Sequence, residues 1–280
     1  MNTSIKNAIK ACTPHFLLEA YHARRRREIE KRQRRYEREV RRLQLELNKT
    51  RCIDLGAFFA GEEIHLSDMT FMVGGSSLLD YAFLRTVAKR YRAENFLEVG
   101  TYIGESIHNM ADLCKTCHSV TAGPDSPWYM ECFCREQDIP NYSDRLSIDE
   151  NIIHHYVRDC KEFDFYPYGG DIDLYFIDGD HSYEGVLADT KHIFAARKDT
   201  SIVVWHDMRG ISSIYGGLVA VRDVLQEEFQ NFYLVDNNLC GIYIPKYLQK
   251  DLPLRELRYT EERQPLQAYD VILQPKKSLL

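Results

Sequence analysis

Apolar residues recur along this chain with several spacings, and each spacing predicts a different element. Between Tyr21 and Asn48 they fall at Ile29, Tyr36, Val40, Leu43 and Leu47, with Gln33 in the same series, a 4-3-4-3-4 pattern that lines one seam of a helix. The stretch holds no Gly or Pro and is rich in Arg, Glu and Leu, so one long N-terminal helix is expected. Ser77–Arg92 has apolar residues at 78, 79, 83, 84 and 87, a helical face suited to packing on a sheet. From Asn95 onwards short apolar runs alternate with helical patterns. Strands are predicted near 96–99, 119–122, 145–148, 173–177, 201–205, 232–235 and 240–244, and helices near 105–115, 150–160, 184–197 and 217–229. This alternation predicts an α/β fold built on a doubly wound, mostly parallel sheet.

Composition divides the chain. Its 280 residues, 44% of them hydrophobic, support one sizeable core plus an appendage. We expect a basic helical segment over 1–51, a Gly-punctuated connector or lid over 52–77, the α/β domain over 78–247 and a tail over 248–280. The net charge of −6 is uneven: Arg24–Arg51 holds 13 Lys/Arg against 5 Asp/Glu, or +8, which leaves −14 for the rest. The interspersed Glu28, Glu30, Glu37, Glu39 and Glu46 would repel phosphates, so no nucleic acid or anionic membrane is expected as partner. The seam is expected instead to pack on its own domain or to make a homo-oligomer. No apolar run approaches the ~20 residues of a membrane span and the N-terminus lacks a secretion signal, so a cytoplasmic protein is expected. Eight scattered cysteines fit reduced thiols. Cys114, Cys117, Cys132 and Cys134 could offer four thiolates to zinc, but the spacing of the second pair favours buried thiols.

The first chemical motif follows the strand near 96–99. Gly100-Thr101-Tyr102-Ile103-Gly104 turns sharply into a helix beginning near Glu105, at the carboxyl end of the sheet, where open α/β folds bind ligands. A dinucleotide fingerprint needs a second glycine where the backbone approaches the pyrophosphate; Tyr102 stands there, which disfavours a dehydrogenase. Glu98 adds a carboxylate beside the turn and suits a cationic cofactor without phosphate. S-adenosylmethionine (SAM), with its ammonium and sulfonium, fits that description.

The second motif lies at adjacent strand ends. Asp173–Ile177 delivers Asp178-Gly179-Asp180-His181, and Ile202–Trp205 delivers His206-Asp207. If the strands are neighbours, two carboxylates converge and repel each other unless a cation or proton intervenes. A divalent ion such as Mg²⁺ would relieve that repulsion and could bind a substrate hydroxyl. His181 suits a general base for that hydroxyl, while Asp180 could instead cap the following helix.

The string E-V-G-T-x-x-G-x-S resembles motif I of class I SAM-dependent methyltransferases. IDGDHSYEGVLAD followed by VVWHD resembles their metal-dependent small-molecule O-methyltransferase branch, the macrocin O-methyltransferase-like and cephalosporin-hydroxylase-like proteins. The resemblance covers roughly residues 78–245. It implies a seven-stranded Rossmann-like SAM methyltransferase fold with an antiparallel last strand, and O-methylation of a small molecule or sugar. It places cofactor contacts at Glu98, Gly100, Thr101, Gly104, Ser106 and Asp178, metal ligation at Asp178 and Asp207, and the base at His181. His206 stands where relatives have an acidic ligand. Gly123 occupies the place of the ribose-binding acid, leaving Asp125, two residues on, as its substitute; Asp149 is similarly placed for the adenine end. Two other functions stay open: an oxidising enzyme on the same fold, and a non-catalytic SAM-binding or scaffold protein.

Overall fold

The computed structural model describes residues 15–70, 75–123, 126, 146–209, 212–257 and 270–272. Eight strands form one sheet: β1 (Cys52–Ile53), β2 (Asn95–Val99), β3 (Thr116–Ala122), β4 (Ile152–Val157), β5 (Leu174–Ile177), β6 (Ile202–Trp205), β7 (Phe232–Val235) and β8 (Gly241–Tyr243). Their spatial order is β1-β7-β8-β6-β5-β2-β3-β4. Only β8 runs antiparallel to its neighbours β6 and β7. Strands β2 to β8 match the expected number, seven, and β1 adds a short parallel edge beside β7.

Period-2 alternation sends successive side chains to opposite faces of this sheet. Phe96, Leu174, Phe176, Ile202 and Val204 join one buried cluster with Phe83, Leu84, Val87, Ile107 and Met110. Those partners come from α3 (Leu78–Tyr91) and α4 (Glu105–Ala111). Leu97, Val99, Tyr175, Ile177, Val203 and Trp205 join the other cluster. They meet α6 (Tyr183–Ala196) and α7 (Gly217–Leu225), with Tyr168 of the shorter α5 (Tyr166–Gly169) packed against them, while the short α2 (Leu55–Phe59) joins the first cluster.

The long helix α1 (His15–Thr50) uses its seam on this second face. Val40, Leu43 and Leu47 are buried there, and Tyr36 stacks on Tyr183 with centroids 5.0 Å apart. Gln44 donates to the Met208 carbonyl at 2.9 Å, and Arg222 pairs with Glu39. Packing on its own domain therefore accounts for the second half of the seam, while Ile29 in the first half is 48% exposed. No helix among the described residues is long and apolar enough to cross a membrane.

One stretch departs from expectation. The strand predicted near 145–148 and the helix near 150–160 give way to β4 at Ile152–Val157, paired in parallel with β3. Its sequence, Ile-Ile-His-His-Tyr-Val, is β-branched and aromatic, and such side chains fit a pleated surface better than a helix. Residues 252–257 run beside β1: the Asp54 amide donates to the Pro253 carbonyl, and the Arg255 amide to that of Cys52.

Candidate functional site

The turn after β2 is dictated by two glycines. Gly100 has φ +95°, and a Cβ there would sit 2.4 Å from the Asp178 carbonyl oxygen and 2.5 Å from the Gly179 Cα. Gly104 also has φ +95°, and a Cβ there would meet the Ser147 amide nitrogen at 2.8 Å. Both positions thus need left-handed backbone and the absence of a side chain. The first glycine lets the two motifs touch: the Asp178 amide donates to the Val99 carbonyl at 2.8 Å.

Beneath the turn Glu98 is fully buried and accepts from the Thr101 hydroxyl at 2.8 Å. The Thr101 hydroxyl lies 2.7 Å from that of Ser119, and Thr121 donates to the Thr101 carbonyl. Glu98 and Thr101 therefore brace the turn from inside. Gly100, Gly104, Ser106 and Asp178 line the open cleft, together with Ser76, Tyr81 and Glu105. Glu105, at the start of α4, accepts from the Thr70 amide and hydroxyl and from Tyr81. A wall carrying Glu105 and Asp178 suits a ligand with ammonium and sulfonium charges and disfavours a pyrophosphate.

Strands β5 and β6 are parallel neighbours, with Ile177 opposite Trp205, so Asp178 and His206 leave the sheet side by side. Asp207 follows at φ +56°, a left-handed conformation that Asp tolerates better than most residues. His181 Nδ1 lies 2.6 Å from Asp207 and its Nε2 3.4 Å from Asp178. His206 Nδ1 lies 3.1 Å from Asp178, and its Nε2 meets Asp80 at 3.2 Å. Asp178, His181 and Asp207 each offer a ligand atom within 4.8 Å of the others. Two carboxylates with imidazole nitrogen beside them are a donor set that fits a divalent cation.

Charge is tightly coupled here. Burial alone would raise Asp178, but the His206 charge and the His181 hydrogen bond pull it down to about 2. Burial opposes the charge on His181, yet hydrogen bonds and field from Asp178 and Asp207 raise it to about 10. His206 is held above its ordinary value against burial by Asp178, Asp207 and Asp80, and Asp207 is held below the usual carboxylate range by His181 and His206. With no cation bound, both imidazoles carry protons at neutral pH.

Asp180 stands apart from this cluster. Its carboxylate accepts from the Ser182 amide and pairs with Lys161 at 3.3 Å, while Ser182 itself caps α6 by accepting from the Gly185 amide. Asp149 precedes β4 instead of following a strand, and its carboxylate meets His108 Nδ1 at 2.7 Å. Asp125 lies outside the described residues, as do Cys12, Cys132 and Cys134. Cys114 and Cys117 are free, buried thiols.

Sequence reading missed Asp80, Ser76 and Tyr81, which reach the site from the entry to α3. Asp80 is 1% exposed and forms a capping box with Ser77. Ser76 donates to Asp178 at 2.9 Å. The Ser-x-x-Asp spacing at 77–80 is a helix-start signal that could have drawn notice to this corner.

Residues 97–208, which span both motifs, match the family model described as a methyltransferase domain. This stretch of the chain is similar to a methyltransferase domain. Within the matched residues β2 leads into the Gly100–Gly104 turn, and β5 and β6 end on the acids and histidines beside it. Among solved structures, a methyltransferase of Podospora anserina with S-adenosylhomocysteine bound is similar at 14% identity, with 61% of this chain and 80% of that chain covered and a TM-score of 0.45. An O-methyltransferase of Bacillus cereus in complex with the same compound is similar at 11% identity, with 62% and 84% covered and a TM-score of 0.42. No curated protein matches the chain.

Proposed function

We propose that this protein methylates a hydroxyl of a small molecule or sugar, with a divalent cation held by Asp178, Asp207 and His206 and with His181 as the base. The observation that carries this reading is the convergence of Asp178, His181 and Asp207 on strand ends next to the Gly100–Gly104 turn, with Asp178 belonging to both cleft and cluster. SAM supplies the electrophilic methyl group, and a cation such as Mg²⁺ supplies Lewis acidity toward the acceptor oxygen. Gly100 and Gly104 keep the cofactor side of the cleft open, and Ser106, Glu105 and Asp178 offer polar groups along it. His181 is the most exposed member of the cluster, which suits it to meet an acceptor arriving from solvent. It can take a hydroxyl proton once Asp178 and Asp207 direct their charge to a cation, because those two acids are what hold its own proton in place. Positioning the hydroxyl in line with the methyl group is the remaining requirement.

Support for an oxidising enzyme is confined to the pairing of imidazoles with carboxylates, a set that also suits non-haem iron. Both this and a SAM-binding scaffold are separated from methyl transfer by one assay. S-adenosylhomocysteine release is measured with a panel of hydroxylated acceptors, with and without chelator, for wild type and His181→Ala. The proposal requires release that falls on chelation and falls again in the variant. Full turnover by His181→Ala would remove the base, and full activity after exhaustive chelation would remove the cation. The stretch of α1 from His22 to Arg35, where no described residue is buried, is where we place any homo-oligomer contact. Light scattering of full-length protein and of an Ile29→Glu variant tests it, and a monomer in both cases would end that idea.

A further inference from the structure

We infer that His206 turns the proposed cation site toward a nitrogen-binding first-row transition ion (Mn²⁺, Fe²⁺, Co²⁺ or Zn²⁺) in preference to Mg²⁺, and that Asp80 is the residue that aims it. The inference rests on the cation reading above and concerns which ion that site selects.

The imidazole of His206 is about nine-tenths buried, so both of its nitrogens need partners. Nε2 has one: Asp80 Oδ2 at 3.2 Å. Asp80 cannot swing away, because it accepts from the Ser77 amide at 2.8 Å, the Ser77 hydroxyl at 2.7 Å and the Leu239 amide at 3.0 Å. It therefore fixes the ring plane and keeps a proton on Nε2. Nδ1 then faces Asp178 Oδ1 at 3.1 Å and Asp207 Oδ2 at 3.5 Å.

Nδ1 and the two carboxylate oxygens it faces form a three-donor set, and a divalent cation seated among them would take the place of any proton on Nδ1. Asp80-His206 then has the form of a carboxylate–histidine–metal relay, in which the outer carboxylate orients the ring and strengthens its donation. Mg²⁺ prefers a shell of oxygens and water. Imidazole beside two carboxylates shifts preference toward later first-row ions, whose affinity for nitrogen donors rises along the series.

The test uses full-length protein stripped by chelator and calorimetric titration with Mg²⁺, Mn²⁺, Co²⁺ and Zn²⁺. Because later ions bind most sites more tightly, the quantity that decides is the ratio of Mg²⁺ to Co²⁺ dissociation constants. His206→Asp, which replaces that nitrogen donor with oxygen and leaves His181 in place, is expected to lower that ratio by about tenfold. Asp80→Asn is expected to weaken Co²⁺ binding by about 10- to 100-fold. Pulsed electron paramagnetic resonance of the Mn²⁺-loaded wild type should show nitrogen coupling that weakens in His206→Asp, a readout that survives if a variant folds poorly. An unchanged ratio in folded His206→Asp, or no nitrogen coupling in wild type, overturns the inference while leaving the cation site standing. Absence of any divalent binding overturns both.

Discussion

Replacing Gly100 with alanine tests the claim that the two motifs are in direct backbone contact. The new Cβ would lie 2.4 to 2.6 Å from three backbone atoms of Asp178 and Gly179, none of which can rotate away. Normal contact distances require the ends of β2 and β5 to part by about 1 Å, which breaks the hydrogen bond from the Asp178 amide to the Val99 carbonyl. Holding a non-glycine residue at φ +95° costs about 1–2 kcal/mol. Overpacking adds about 1–3 kcal/mol, and the weakened hydrogen bond about 1 kcal/mol. The total is about 3–6 kcal/mol, a large share of the stability of an ordinary domain. Urea unfolding measures it, with Gly170→Ala as control, since Gly170 has φ −67° and open space around its Cβ position. The control should stay within about 0.5 kcal/mol of wild type. A Gly100→Ala protein equally close to wild type would refute the backbone-contact argument.

Three further outcomes follow from the same geometry. Leu47→Ala should lose about 2–5 kcal/mol in urea unfolding, because the side chain is fully buried where α1 meets the sheet; an unchanged midpoint would mean that α1 does not dock. Ser77→Ala removes half of a capping box and should cost about 1 kcal/mol by the same measurement. In chelated protein, His181 stands at about 10 against an ordinary 6.5, so its contribution is complete below 6.5 and is lost as pH rises toward 10. Asp178, at about 2 against 3.8, contributes above 3.8 and loses that contribution as pH falls toward 2. The melting temperature of chelated protein should therefore fall on the alkaline side between pH 6.5 and 10, and Asp207→Asn should flatten that slope. A wild-type slope identical to that of the variant would count against the His181–Asp207 pairing.

The parts of the site that sequence revealed are those in which one element contains its own chemistry. Gly100 and Gly104 announce a turn at a strand end, and Asp178 and Asp207 each follow a buried apolar run, so adjacency of two strands was enough to join them. Asp80 and Ser76 were illegible for the opposite reason. They reach the site from a helix entry about 100 residues upstream, and only tertiary packing brings them to His206 and Asp178. Strand β4 was misread because His154 and His155 interrupt its apolar alternation. These imidazoles gain partners from neighbouring elements: His155 Nε2 lies 3.0 Å from His118 Nδ1 on β3, and His154 Nε2 meets the Ser147 carbonyl. Glu98 is a subtler case. Its position beside the turn was legible, but its role as a buried brace depends on Thr101 and Ser119, hydroxyls from two different strand ends.

Direct binding of SAM by wild-type protein is the measurement on which the account rests most heavily, because it needs no knowledge of the acceptor. Calorimetric titration should give one site per chain with a dissociation constant below about 1 mM, weakened at least tenfold in Gly104→Ala, whose Cβ would strike Ser147 at the mouth of the cleft. NAD should not compete. Absence of SAM and S-adenosylhomocysteine binding at millimolar concentration, in protein shown to be folded, would contradict the account.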